Sequence, residues 1–311
     1  MTQQRDHGGG LDAAIIRFGG QRHEWIDLST GINPVPYPIG ELDHECWTAL
    51  PDKKAFEDLI EAAYAFWDVP EQAALLPAPG ASALIAQIPA LASPGTVHIP
   101  APTYNEHAAA FEAHGWRQSQ DEKNACVLVN PNNPTGHWYS DQDVTASFCI
   151  IDESFADIAP EHSLISHAAR PGVIVLKSFG KFWGLAGLRL GFAIGDPNMI
   201  ARLNTKLGPW AVSGPALALG ARALRDTNWA QKTRKRLSQD AERLDQMMLK
   251  SGANITGGTT LFRLYEVGNA SAWHERLARS HILSRIFPYS NTWLRLGLPG
   301  PDQWSRLEQA L

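Results

Sequence analysis

The sequence predicts an α/β protein, with a mainly parallel sheet covered on both faces and a smaller α+β domain after it. Three observations predict this. Short apolar runs that read as buried strands recur at "GTVHIP" (95–100), "ACVLVN" (125–130), "FCIID" (148–152), "GVIVLKS" (172–178) and "LRLGFAIG" (188–195). Helical or loop segments separate most of them, as crossovers between parallel strands require. From about residue 215 the character changes to long helix and then back to strand.

Taken in order, residues 1–40 are rich in glycine and proline and read as an irregular N-terminal arm with little core of its own, contributing to the small domain and the site. In "AFEDLIEAAYAFWDV" (55–69), Phe56, Leu59, Ile60, Ala63, Tyr64 and Trp67 recur at helical spacing, which predicts an amphipathic helix. "APGASALIAQIPALA" (78–92) reads as a glycine turn opening a buried helix. After the strands, residues 214–252 read as one long helix or two, stopped at Gly252. Strands at "TTLFRLYE" (259–266) and "TWLRLGLP" (292–299) enclose a helix at 270–280. The domain boundary falls between 213 and 228, giving an arm (1–40), a large domain (41–220) and a small C-terminal domain (221–311).

With 311 residues, 44% of them hydrophobic, the chain can bury a large core. The formal net charge is −5 with the signs mixed and no basic stripe, which argues against a nucleic-acid partner. The opening "MTQQRDHGGG" lacks the charged-then-apolar pattern of a secretory signal, and no apolar run reaches the roughly 18 residues of a membrane span. Cys46, Cys126 and Cys149 form neither a disulfide framework nor a metal-ligand spacing, so no metal and a reducing cytoplasmic setting are expected.

In sheets of this kind ligands bind beyond the carboxyl ends of the strands. "VNPNNPTG" (129–136) follows one strand, "DES" (152–154) ends the next and "SFGK" (178–181) ends a third. The turn "APGAS" (78–82) opens a helix, where free N–H groups favour an anion, and Arg189 adds a charged grip. An anion site, an acid, an amide and a lysine thus gather at one edge. That set matches what pyridoxal phosphate requires.

The motifs "NNPTG", "IDES", "SFGK" with Arg189 eight residues on, and "WLRLGLP" resemble, in order, those of fold-type I pyridoxal-phosphate enzymes of the class I/II aminotransferase family. The resemblance implies a large domain with a seven-stranded, mainly parallel sheet, and a two-fold homodimer with the site at the interface. It also implies that Lys181 is the Schiff-base lysine, Asp152 pairs with the ring nitrogen, Asn133 bonds the ring oxygen and Tyr104 in "APTYNEH" stacks on the ring. Gly80, Ala81, Ser82, Ser178 and Arg189 hold the cofactor phosphate, and Arg295 clamps the substrate α-carboxylate. Lys181, set among Phe179, Phe182 and Trp183, is expected to have a lowered pKa. Lys177 reads as an ordinary strand-edge lysine whose loss leaves the site intact. Plainer readings exist: Asp152 as a strand-end cap, Arg189 as an exposed strand residue, Asn133 as an Asx turn, Tyr104 as core and His7 as surface. The chain departs from the family at Gly180, where relatives carry Ser or Thr, at Phe155 in place of a tyrosine, and at "ALP" (49–51) in place of "RYP".

Within the family, "HGGG" (7–10) and "IDLSTGINP" (26–34) resemble the openings of threonine-phosphate decarboxylases of cobalamin biosynthesis, although Gly31 stands where they often carry asparagine. That likeness implies decarboxylation of L-threonine O-3-phosphate to (R)-1-aminopropan-2-yl phosphate. It implies too that His7, Asn33 and Arg285 in "HILSRIF" approach the phosphate of this small phosphorylated amino acid. A histidinol-phosphate-type aminotransferase and a cofactor-binding, non-catalytic relative remain the alternatives.

Overall fold

The computed structural model describes residues 6–311; residues 1–5 of the expected arm lie outside the described residues. The chain divides into two compact units. The larger comprises Tyr37–Asn133 and Trp138–Lys232, and the smaller holds the chain up to Pro36, Pro134–His137 and Thr233–Leu311.

The sheet of the larger unit has seven strands, in spatial order Ala74–Ala78, Gly191–Gly195, Val173–Ser178, Phe148–Asp152, Ala125–Val129, Thr96–His98 and Arg117–Gln118. The last five run parallel, and Gly191–Gly195 is antiparallel to both of its neighbours. The mainly parallel α/β fold expected from the apolar runs is therefore present. Ala125–Val129, Phe148–Asp152 and Gly191–Gly195 are buried at every position, which is why they read as unbroken apolar runs. One face, with Val127, Ile150, Ile174 and Leu176, shares a core with Leu84, Phe111 and Leu203 of the helices Ala81–Gln87, Asn105–Ala113 and Pro197–Leu207. Two strands escape the sequence pattern. Ala74–Ala78 is an edge strand carrying Pro77, as only edges tolerate, and Arg117–Gln118 is too short and exposed to show a run.

The helix expected at 55–69 spans Lys53–Trp67. Asp52 caps it by accepting from the Ala55 N–H at 2.9 Å, and Leu59, Ala62, Ala63 and Trp67 form its buried stripe. The long C-terminal run is two helices, Gly214–Arg225 and Thr227–Lys250, because the Asp226 carboxylate between them accepts from the Trp229 N–H at 2.9 Å and starts the second.

Two expectations need correction. Lys177 is not an edge residue: Val173–Ser178 is an inner strand, and the lysine is 2% exposed, ion-paired to Glu153 at 2.6 Å. Nor is the N-terminal segment wholly irregular. Leu11–Phe18 is a helix whose Leu11 and Ala14 pack with Trp25, Ala278 and Leu283 inside the smaller unit. The glycines around it masked that short amphipathic stretch.

The smaller unit is built on a four-stranded antiparallel sheet, ordered Arg285–Phe287, Ser290–Gly297, Phe262–Glu266 and Asn254–Gly258. The helix Ala270–Arg279 begins at Asn269, whose side chain accepts from the Ala272 N–H at 3.0 Å. Ile26–Asp27 pairs in parallel with Ile282–Leu283, which anchors the N-terminal segment.

Candidate active site

In the larger unit the ends of three parallel strands and the glycine turn surround one cavity of about 160 Å³. One water needs only about 10–15 Å³ by the same measure, so the cavity is ligand-sized. Ala81, Ser82, Tyr104, Asn133, Asp152, Ser178, Lys181 and Arg189 line it, together with Ser154, Phe155 and Gly180. Eight of the nine proposed cofactor residues thus meet around one space. The ninth, Gly80, adopts φ +85° at the turn, and a β-carbon there would lie 2.5 Å from Arg189 Nη2. A β-carbon on Gly191 would fall 2.5 Å from the Ala81 nitrogen. Only bare backbone lets the guanidinium and the strand approach the turn this closely. Arg189 itself holds φ +53°, a left-handed conformation uncommon for a side-chain-bearing residue, just before its strand begins at Gly191.

Asp152 ends its strand fully buried. Its Oδ1 accepts from the Ser154 N–H at 3.0 Å and the Ser154 hydroxyl at 2.5 Å, and its Oδ2 lies 2.8 Å from His107 Nε2. Burial pushes the carboxyl pKa up, but the hydrogen bond and charge of His107 and the two bonds from Ser154 outweigh it, leaving the pKa below its ordinary value. The carboxylate is therefore kept ionised inside the protein. His107 also sets its ring edge-on to Tyr104, with centroids 6.1 Å apart. The sequence reading passed over His107. Its only signal was its place on the helix that opens just after Tyr104, which does not reveal the carboxylate 45 residues on.

Lys181 sits in the loop after Val173–Ser178, partly exposed to the cavity, with Nζ 5.2 Å from the Phe155 ring centroid. Phe179, Phe182 and Trp183 are fully buried beneath the loop, and Phe179 stacks on Trp183 at 5.1 Å.

The residues expected to meet substrate lie in the smaller unit. Arg285 and Arg295 are cross-strand partners on neighbouring antiparallel strands. Arg285 forms a two-pronged salt bridge with Asp6, both contacts 2.6 Å. Arg295 is buried, donates to the Ser29 carbonyl and lies 5.2 Å over the Phe262 ring. Burial, then the like charge of Arg285, pushes its pKa down to about 10, so it stays cationic at neutral pH. Ser29 explains why the two N-terminal motifs occur together. It is held by Asp27 Oδ1 through its N–H at 2.8 Å and its hydroxyl at 2.6 Å, and its oxygen accepts from the Gly9 N–H at 2.7 Å. Asn33 is buried, its carbonyl oxygen accepting from the Val35 N–H at 3.0 Å and Arg236 Nη2 at 2.6 Å. His7 is exposed.

A mainly parallel sheet with a glycine turn, an ionised buried carboxylate and a lysine at its strand ends suits an enzyme whose cofactor carries an anionic group and a cationic ring. The chain belongs to the class I and II aminotransferase family, which it matches over residues 117–308. A threonine-phosphate decarboxylase from Sinorhizobium sp is 39% identical, with 95% of this chain and 93% of that protein covered. One from Pseudomonas aeruginosa is 37% identical, covering 98% and 97%. The solved histidinol-phosphate aminotransferase of Sinorhizobium meliloti, in complex with pyridoxal-5'-phosphate, superposes with a TM-score of 0.81 at 18% identity, covering 100% of this chain and 94% of that one.

Family members use pyridoxal phosphate, and the cavity fits it. An ionised carboxylate in the cavity wall suits a cation there, such as a protonated pyridine ring. The turn with Gly80 and the Arg189 guanidinium offers N–H donors and positive charge for a phosphate. Among the described residues, no helix is long and apolar enough to cross a membrane.

Proposed function

We propose that the chain decarboxylates L-threonine O-3-phosphate to (R)-1-aminopropan-2-yl phosphate in cobalamin biosynthesis. The Cα–carboxylate bond breaks, CO₂ leaves and a proton takes its place. The observation that carries this reading is the near full-length likeness to two threonine-phosphate decarboxylases at 39% and 37% identity. When bound, pyridoxal phosphate supplies an electron sink for the pair left at Cα. Lys181 holds the cofactor aldehyde and moves the proton at Cα; Asp152 keeps the ring nitrogen protonated. Asn133 bonds the ring oxygen, Tyr104 stacks on the ring, and Gly80, Ala81, Ser82, Ser178 and Arg189 hold the cofactor phosphate.

Arg295 takes the α-carboxylate, and Arg285 takes the substrate phosphate with help from His7 and Asn33. The two-pronged grip of Arg285 on the Asp6 carboxylate supports this, since the same fork suits a phosphate. How the substrate is oriented decides which group leaves Cα. The assembly is a homodimer of cytoplasmic protein. Ile39, Trp47 and Leu50 support it, being 60%, 67% and 67% exposed in the larger unit, apolar side chains that a second copy would cover. An active monomer in sedimentation at micromolar concentration would count against the dimer.

The direct test is incubation with O-phosphothreonine, assaying CO₂ and aminopropanol phosphate. Arg285→Ala is expected to raise KM for this substrate by about 10–10²-fold, the scale of losing one charge-assisted hydrogen bond, while cofactor affinity holds. Arg295→Ala is expected to weaken phosphorylated and plain amino acids alike. Transamination of histidinol phosphate without CO₂ release would establish an aminotransferase instead, and cofactor binding without turnover of either substrate a non-catalytic relative.

A further inference from the structure

A buried ionic cluster occupies the strand ends that carry the cavity. Lys177 Nζ is 2.6 Å from Glu153 Oε2, 3.9 Å from Asp157 Oδ1 and 5.7 Å from the centroid of the Trp67 ring. Glu153 also accepts from Asn130 Nδ2 at 3.1 Å, the Ser163 hydroxyl at 2.6 Å and the Leu164 N–H at 2.6 Å. Asp157 accepts from the indole N–H of Trp67 at 2.8 Å and that of Trp183 at 2.9 Å. Lys177, Glu153 and Asp157 are 2%, 1% and 4% exposed.

Burying these charges is unfavourable relative to filling the same volume with apolar side chains. Stability alone is therefore a poor reason for the cluster; a satisfied polar network fixes geometry. Four of its members stand close in sequence to cavity residues. Lys177 precedes Ser178, Glu153 follows Asp152, Asn130 stands three residues before Asn133, and Trp183 two after Lys181. Successive strand residues point to opposite faces, so Ser178 and Asp152 turn to the cavity while Lys177 and Glu153 turn away from it. Trp183, bonded to Asp157 and stacked between Phe179 and Trp229 at 5.1 and 5.3 Å, pins the loop that carries Lys181.

We propose that Lys177 is a positioning residue. Through Glu153 and Asp157 it fixes the spacing of the strand ends and the loop that present Asn133, Asp152 and Lys181 to the cofactor. This rests on the assignment of Lys181 above and is independent of which amino acid is turned over.

Two readouts on the holoenzyme separate positioning from plain core packing: cofactor affinity, and the pH midpoint of the visible band of bound cofactor. The midpoint reports how far Lys181 stands from the charges around it. Trp183→Phe removes the indole donor and keeps a stacking ring. It is expected to fold, weaken cofactor binding about tenfold, as loss of a partner behind a ligand-holding group does, and shift the midpoint. Lys177→Met is expected to shift both readouts further, and Lys177→Arg to restore them in part. Wild-type affinity and midpoint in Trp183→Phe overturn the proposal, whether or not Lys177→Met folds. A Lys177→Met protein that merely melts earlier, with its midpoint unmoved, overturns it too. Error in the Lys181 assignment shows separately, as a visible band that survives in Lys181→Ala.

Discussion

Lys181→Ala is expected to yield a folded protein without the visible band of lysine-bound cofactor and with turnover reduced by about 10²–10⁴-fold or more, the range for losing a positioned proton-transfer group. The fold should survive because Lys181 lies in a loop and is partly exposed, with Nζ 5.2 Å from the Phe155 ring centroid. Thermal unfolding, absorbance and the decarboxylation assay on one preparation check all three statements. The comparison with Lys177→Ala is informative because the sequence suggested that this change would be harmless. The structure reverses that expectation. Removing Lys177 leaves the Glu153 carboxylate buried without its cation, a loss of about 3–5 kcal/mol for breaking a buried pair. So one lysine is expected to cost chemistry without stability, and the other stability as well as chemistry. A visible band retained in Lys181→Ala would refute the assignment of the reactive amine.

The difference between these lysines shows what the sequence could carry. The parallel strands were legible because burial on both faces forces continuous apolar runs, as in "ACVLV" and "FCIID". The cavity residues were legible because Asn133, Asp152, Lys181 and Arg189 sit at strand ends and turns, where a polar residue lacks a packing reason. Lys177 was misread because a single charge in an apolar strand looks the same whether it reaches solvent or a buried carboxylate 24 residues away. His107 escaped for a similar reason: its partner Asp152 is distant in sequence, and helix periodicity marks a face without saying what that face meets. The short strands Asn254–Gly258 and Arg285–Phe287 were missed because glycines and turn residues break the alternation. The edge strand Ala74–Ala78 was hidden by its proline.

Asp152→Asn is expected to reduce turnover by about 10²–10³-fold, the scale for removing one preorganised electrostatic stabiliser from an active site. The amide matches the carboxylate in size and can still accept from Ser154 and meet His107, so the shape of the cavity is kept and only the charge is lost. A second signature follows from the depressed pKa, readable without substrate or cofactor. A carboxyl whose folded pKa lies below its unfolded value of about 3.9 stabilises the native state above that value, and the stabilisation fades as pH falls through the folded pKa. At neutral pH the wild-type apoprotein should therefore be more stable than Asp152→Asn, with the gap narrowing only below about pH 4. Denaturant unfolding of both proteins from pH 7 downward measures it. A gap that is absent at neutral pH, or that persists unchanged well below about pH 4, would mean that the buried carboxylate is not ionised in the folded protein. The electrostatic basis for protonating the ring nitrogen would then fall with it.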